Sequence, residues 1–192
     1  GGGPAVEVED LTERKVVKPK EPEWVDGVDR DAQTSFRAGV VAVAKVPSDY
    51  PAAIASFEDA ISRDKAFLEA YFNLGMTYER VDKPEEAIRV YQRALAANPG
   101  SLDAQGSVGK VYLSLAKRSR QGGNLAEATN YEVEAKRIFD AIIAVDPDNV
   151  TANNAVALYW LYHGDAKTAE DFVKKVLMLQ PKNVVALNTR GL

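Results

Sequence analysis

"YFNLGMTYERVDKPEEAIRVYQRALAANP", residues 71–99, decides how this 192-residue chain is to be read. Its large or small apolar residues recur at spacings of three and four, Tyr71, Leu74 and Tyr78 in the first half and Ala87, Tyr91 and Ala94 in the second. Such spacing is one face of an α-helix, so each half is amphipathic and helical. Between them "DKPEEA" reads as a turn and a helix that starts on proline. A proline there forfeits no intrahelical hydrogen bond, and Glu85 and Glu86 fall near the positive helix end. Pro99 closes the second helix. The stretch is therefore a helix, a turn and a helix.

The same pattern recurs on both sides. Thirty-four residues earlier stand Ala53, Phe57 and Ala60, behind a looser first helix around Phe36 to Val46; 34 residues later stand Val108, Gly109 and Tyr112. Ala135, Phe139, Ile142 and Pro147 follow after a delay. Pro181 lies 34 beyond Pro147 and is preceded by Ala157, Trp160, Ala169, Val173 and Val176. Leu187 and Gly191 fall where a further first helix would place its large residue and its glycine. Fixed self-similarity of this length marks a repeat architecture. Small residues at the recurring positions let paired helices approach closely, and aromatics fill the space left.

These residues resemble the tetratricopeptide repeat (TPR) family. The resemblance implies an all-α, right-handed TPR helix-turn-helix solenoid, with repeats at about 34–67, 68–101, 102–149 and 150–183 and the start of a fifth at 184–192. Residues 1–33, with Pro4, Pro19 and Pro22 among mixed charges, read as an N-terminal tail or linker.

The third repeat is long. Pro99 to Pro147 spans 48 residues, 14 more than the period, and the excess falls between its two helices. Divided evenly it adds seven residues, about two turns and roughly 10 Å, to each helix, which preserves the facing of both. "QGGN", residues 121–124, makes the turn, with Asn124 as helix cap.

Composition excludes several chemistries. With 24 Lys and Arg against 28 Asp and Glu, the formal charge is −4, and the cationic field that drives nucleic-acid binding is missing. There is no Cys and a single His, His163, so thiolate metal sites, cysteine nucleophiles and most histidine catalysis fall away. No apolar run reaches the length of a membrane-spanning helix. "EVED", "PEE" and "VDPDN" read as solvated, turn and capping carboxylates, with Asp146 or Asp148 as the cap in the last. "GGN" lacks the strand and Lys-Ser/Thr of a phosphate loop, and His163 reads as an exposed turn residue. The expectation is a protein that is not an enzyme, with no metal and no cofactor.

What remains is surface. The resemblance implies a concave groove lined by first helices, and its usual ligand-facing positions fall here on Phe72, Met76, Arg80, Lys110, Leu113, Asn154, Leu158, Leu161 and Tyr162, with Glu69, Glu79 and Asp103 among them. The carboxylate clamp of TPR co-chaperones would require Lys and Asn where this chain has Ala38, Ala42, Asn73, Asp103 and Ser107; only Asn73 fits. A second surface is the basic hairpin tip, Lys117, Arg118 and Arg120. The partner expected is a protein or peptide, with self-association through an uncapped C-terminal end as a further expectation. "GGGP" at the start, without Met, reads as a processed or excised chain. Its charged Gly-Pro tether resembles bacterial cell-envelope TPR proteins, including lipoproteins that help assemble pili, motility machines or secretion complexes. A periplasmic or outer-membrane-tethered location is therefore expected over a cytoplasmic one. The alternative is a docking or regulatory part of a larger enzyme.

Overall fold

The computed structural model describes residues 24–191, which form helices and no strand. In order they are α1 (Arg30–Ala44), α2 (Tyr50–Arg63), α3 (Leu68–Arg80), α4 (Pro84–Ala97), α5 (Leu102–Gln121), α6 (Leu125–Val145), α7 (Val150–Tyr162), α8 (Ala166–Leu179) and α9 (Val184–Arg190). Each helix packs on the next, and α1 with α3 and α7 with α9 also touch, so the odd-numbered helices form the inner layer of a solenoid of hairpins. Residues 1–23 of the expected N-terminal tail, with the "EVED" segment, lie outside the described residues.

Local chemistry sets the boundaries. Asp29, Asp49, Ser101, Asn124, Asn149, Asp165 and Asn183 each stand just before a helix and accept a hydrogen bond from the backbone N–H three residues on. Each such cap is worth about 1 kcal/mol. Helix α4 has no side-chain cap and begins on Pro84 instead. In "VDPDN" the cap is Asn149, not an aspartate. Asp146 ends α6, and its carboxylate accepts from the Asp148 N–H at 3.3 Å and from Asn149 Nδ2 at 3.2 Å.

One contact recurs inside each hairpin. Gly39 faces the Phe57 ring, Gly75 the Tyr91 ring and Gly109 the Phe139 ring; a Cβ on Gly39 or Gly109 would lie 2.6 or 2.8 Å from ring carbon atoms. Only hydrogen at that position lets the ring lie flat on the backbone. In the fourth hairpin Ala157 replaces glycine and Val173 replaces the ring, both fully buried in one cluster. Small on one helix is thus matched to large on the other.

This contact also fixes the register of α1. Gly39 precedes Gly75 by 36 residues, whereas Phe57 precedes Tyr91 by 34, so the link between α1 and α2 holds two extra residues. The inner positions of α1 are therefore Phe36 and Val40 rather than Ala38 and Ala42. Neither is Lys or Asn, so the carboxylate clamp stays excluded on the corrected register.

The array also starts earlier than composition implies. Helix α1 opens at Arg30, and Trp24 to Val28 pack against it: the buried Gln33 side chain donates to the carbonyls of Val25 and Val28, at 2.9 and 3.0 Å, and accepts from the Val25 N–H at 2.7 Å. The Arg37 guanidinium lies 4.6 Å from the Trp24 ring centre. This strap lies on the first hairpin.

In the third hairpin α5 has 20 residues and α6 has 21, against 13 in α3 and 14 in α4. The surplus is seven on each side, two turns of helix.

Candidate partner-binding surface

Equivalent repeat positions on successive odd-numbered helices are Val40, Met76, Lys110 and Leu158. Val40 and Met76 are 42% and 40% exposed, Lys110 is exposed and Leu158 half-buried. On α7, Leu161 is half-buried and Tyr162 is 71% exposed. Arg80 is exposed in the last turn of α3. Helix α7 carries no charged residue from Val150 to Tyr162, and Ala152 through Ala157 are all buried. An uncharged helix of this kind is packed on several sides; in its last turn Leu161 lines a cavity with Ala169 and Val173 of α8 and Thr189 of α9, while Tyr162 is exposed.

The other expected groove residues belong to the walls. Phe72 is half-buried between two core clusters, its ring 6.3 Å from that of Tyr91. Leu113 packs on the cluster built around Phe139 and Val156. Asn154 is 9% exposed and donates from Nδ2 to Asn183 Oδ1 at 3.2 Å, linking α7 to the cap of α9. Glu79 accepts from the Tyr91 hydroxyl at 2.6 Å. Burial first, and this carboxylate second, push the phenol well above its ordinary range, so Tyr91 remains a donor. Family positions give the side of a helix but not how deeply its neighbour covers it, so Phe72 and Leu113 are half-buried and Asn154 buried while Glu79 stays exposed. Val40 was missed for a different reason, the two-residue shift of α1; Gly39, spaced from Phe57 for contact, was the signal.

The hairpin tip does not present three free cations. Arg118 is ion-paired with Asp82 in the α3–α4 turn, and Arg120 Nη2 donates to Glu132 Oε1 at 2.5 Å; Lys117 is exposed. Tyr112 and Tyr131 meet at 6.0 Å between ring centres, and both pack with Ile88 of α4 in one cluster. On its other side the hairpin meets α7, with Lys136 Nζ 5.5 Å from the Tyr159 ring centre and 5.0 Å from that of Trp160. His163 is more than an exposed turn residue: it ends α7, with Nδ1 2.8 Å from the Tyr159 carbonyl oxygen and Nε2 3.6 Å from Glu132 Oε2.

Among the described residues no group of three His, Cys, Asp or Glu side chains is arranged to hold a metal ion, and no helix is long and apolar enough to cross a membrane.

Comparison with known proteins agrees with this geometry. Residues 68–101 match the family profile described as tetratricopeptide repeat. A sequence comparison with curated proteins finds no match. Among solved structures the chain is similar to a thermophilic TPR protein of Thermus thermophilus, with 22% identity over 81% of this chain and 79% of that one and a TM-score of 0.62. It is similar to a tetratricopeptide repeat protein from Parabacteroides merdae, at 18% identity, 84% of this chain and a TM-score of 0.66, and spans 58% of that protein's length. It is also similar to MamA, with 24% identity over 79% of this chain and 80% of that one and a TM-score of 0.54. Residues 68–101 carry a tetratricopeptide repeat, and the chain has the helical TPR solenoid fold.

Proposed function

We propose that this TPR chain is a protein-interaction scaffold without catalytic activity of its own, which holds a protein or peptide segment along its inner helices. The observation that carries the reading is the exposure of Val40, Met76, Lys110 and Tyr162 on inner helices that also carry the half-buried Leu158 and Leu161. Apolar side chains left exposed on successive inner helices, with one cation among them, suit an amphipathic segment that buries its apolar face and sets an acidic group against Lys110. The walls have a different duty, since Phe72, Leu113 and Asn154 hold the helices that present these side chains.

Assembly of a bacterial envelope complex, at the periplasmic or outer-membrane-tethered location its tether favours, is the narrower form of this proposal. The bacterial sources of two of the similar structures support it. A docking or regulatory part of a larger enzyme is the second reading; this chain spans 58% of the length of the similar Parabacteroides protein. The full-length gene separates the two, through a lipid-attachment signal or an appended catalytic domain.

The test is affinity capture from native extract, followed by titration of the captured partner's purified binding segment. Met76→Asp with Tyr162→Asp is expected to weaken binding tenfold or more, about 1.4 kcal/mol, with helicity unchanged. Equal affinity for both proteins would remove the groove from the account.

A further inference from the structure

The contact between Glu132 and His163 carries one unsatisfied atom. The Glu132 side chain is 14% exposed; Oε1 accepts from Arg120 of α5, while Oε2 is buried and has no hydrogen-bond partner. Facing Oε2 at 3.6 Å is His163 Nε2. The ring of His163 is held in place, stacked on Tyr159 at 4.0 Å between centres and 19° between planes, with Nδ1 2.8 Å from the Tyr159 carbonyl oxygen. A carbonyl only accepts, so the proton of a neutral imidazole sits on Nδ1. Nε2 then presents a lone pair to a buried carboxylate oxygen, and neither atom has a donor. One added proton on Nε2 supplies that donor and a compensating charge together.

The surrounding charges leave this gap to His163. Arg120 is engaged with Oε1. Lys136, on α6, is bonded to Asp140 at 2.6 Å and lies over the Tyr159 and Trp160 rings. Asp165, which opens α8, accepts from the Thr168 hydroxyl at 2.7 Å.

The position is as informative as the chemistry. Counted from the shared C-terminal ends, Glu132 of α6 stands where Pro84 opens α4, so residues 125–131 are the added two turns and Glu132 is their base. His163 ends a first helix of ordinary length. On the opposite side the hairpin is tied to the second repeat through Arg118 and Asp82. The geometry points to a proton-operated latch: protonated His163 grips Glu132 and braces the base of the added turns against the fourth repeat, and loss of that proton removes this tie while the packing of α6 on α7 through Phe139, Val156 and Trp160 remains.

Two features of the sequence make the test clean. The chain holds a single His and no Cys, so a response across the histidine range has one imidazole to come from, and introduced cysteines are the only labelling sites. Spin labels on Ala126→Cys at the tip and Lys167→Cys on α8 report the distance between hairpin and fourth repeat by double electron–electron resonance. In the otherwise native protein the distribution is expected to broaden, or its mean to move by about 2 Å or more, the size of a helix shift, between about pH 5.5 and about pH 8. In Glu132→Gln and in His163→Gln that response is expected to vanish. Identical distributions at the two pH values in the native background, or a response that survives in either variant, would overturn the latch.

Discussion

At Gly109 a single methyl group decides whether the third hairpin closes. Its Cβ would meet the Phe139 ring at 2.8 Å, and overpacking of this kind costs about 1–3 kcal/mol, against about 1 kcal/mol gained by removing a helical glycine. Crowding wins. Gly109→Ala is expected to lower the urea midpoint, and the double variant Gly109→Ala with Phe139→Val, which copies Ala157 with Val173, is expected to lose less than the sum of its single changes. Strict additivity in that cycle would mean that the two positions do not share one space. Protonation gives a second expectation at this scale. The Thr168 hydroxyl and then its N–H hold the Asp165 carboxyl below its ordinary value of 3.8, and Arg63 and then Ser35 do so for Asp59. A group with a lowered folded value stabilises the fold above its unfolded value and ceases to do so as pH falls through the folded one. Acid unfolding should therefore steepen below pH 3.8, and Asp165→Asn, less stable at neutral pH, should lose less on acidification; parallel acid curves would contradict this. The glycines were readable in the sequence because a missing side chain at a fixed spacing from a ring has few other uses. The burial of Asn154 was not, because its acceptor, Asn183, lies 29 residues away on another helix.

Helix lengths were the most readable property of the elements. Fourteen extra residues divide into two turns on each side, so α5 and α6 grow without rotating their packed faces. Excising 115–121 and 125–131 would leave Leu102–Ser114 and Glu132–Val145 about the retained GGN turn, helices of 13 and 14 residues like α3 and α4. The shortened protein is expected to unfold in one cooperative transition, at a lower midpoint because the burial of Leu115, Ala116 and Ala128 is gone. A non-cooperative melt would show that the extension is needed for register. The fate of the tip cations was hidden in the sequence, since Arg118 finds Asp82 36 residues away. That pair is exposed, so Arg118→Ala is expected to cost less than about 1 kcal/mol in a urea titration, and a larger loss would mean that the hairpin depends on this one tie.

Across the whole molecule the core is a succession of local clusters rather than one centre. One centres on α1–α4, a second links α4 to the long hairpin, a third joins that hairpin to α7, and the last joins α7, α8 and α9. Stability in such an array is a sum of neighbour terms, and the ends have fewer neighbours. Hydrogen exchange is therefore expected to be slowest in α3 through α6 and fastest in α9; uniform protection would indicate one global unfolding unit instead. The solenoid was legible from periodicity because its contacts are local in sequence. The Trp24 to Val28 strap was not, because its hydrogen bonds to Gln33 run through backbone groups that any residue supplies, and the Trp24 ring meets Arg37 13 residues away.

Each glycine and the ring that covers it, Gly39 with Phe57, Gly75 with Tyr91 and Gly109 with Phe139, lie within one hairpin and never across two. A duplication or exchange that moves a whole hairpin therefore carries its own fitted pair, whereas one that trades a single helix between the fourth hairpin and another would set a ring against a methyl group or a valine against an empty notch. The fitted unit of this chain is the helix pair, and it comes in two unequal solutions, glycine with an aromatic ring and alanine with valine.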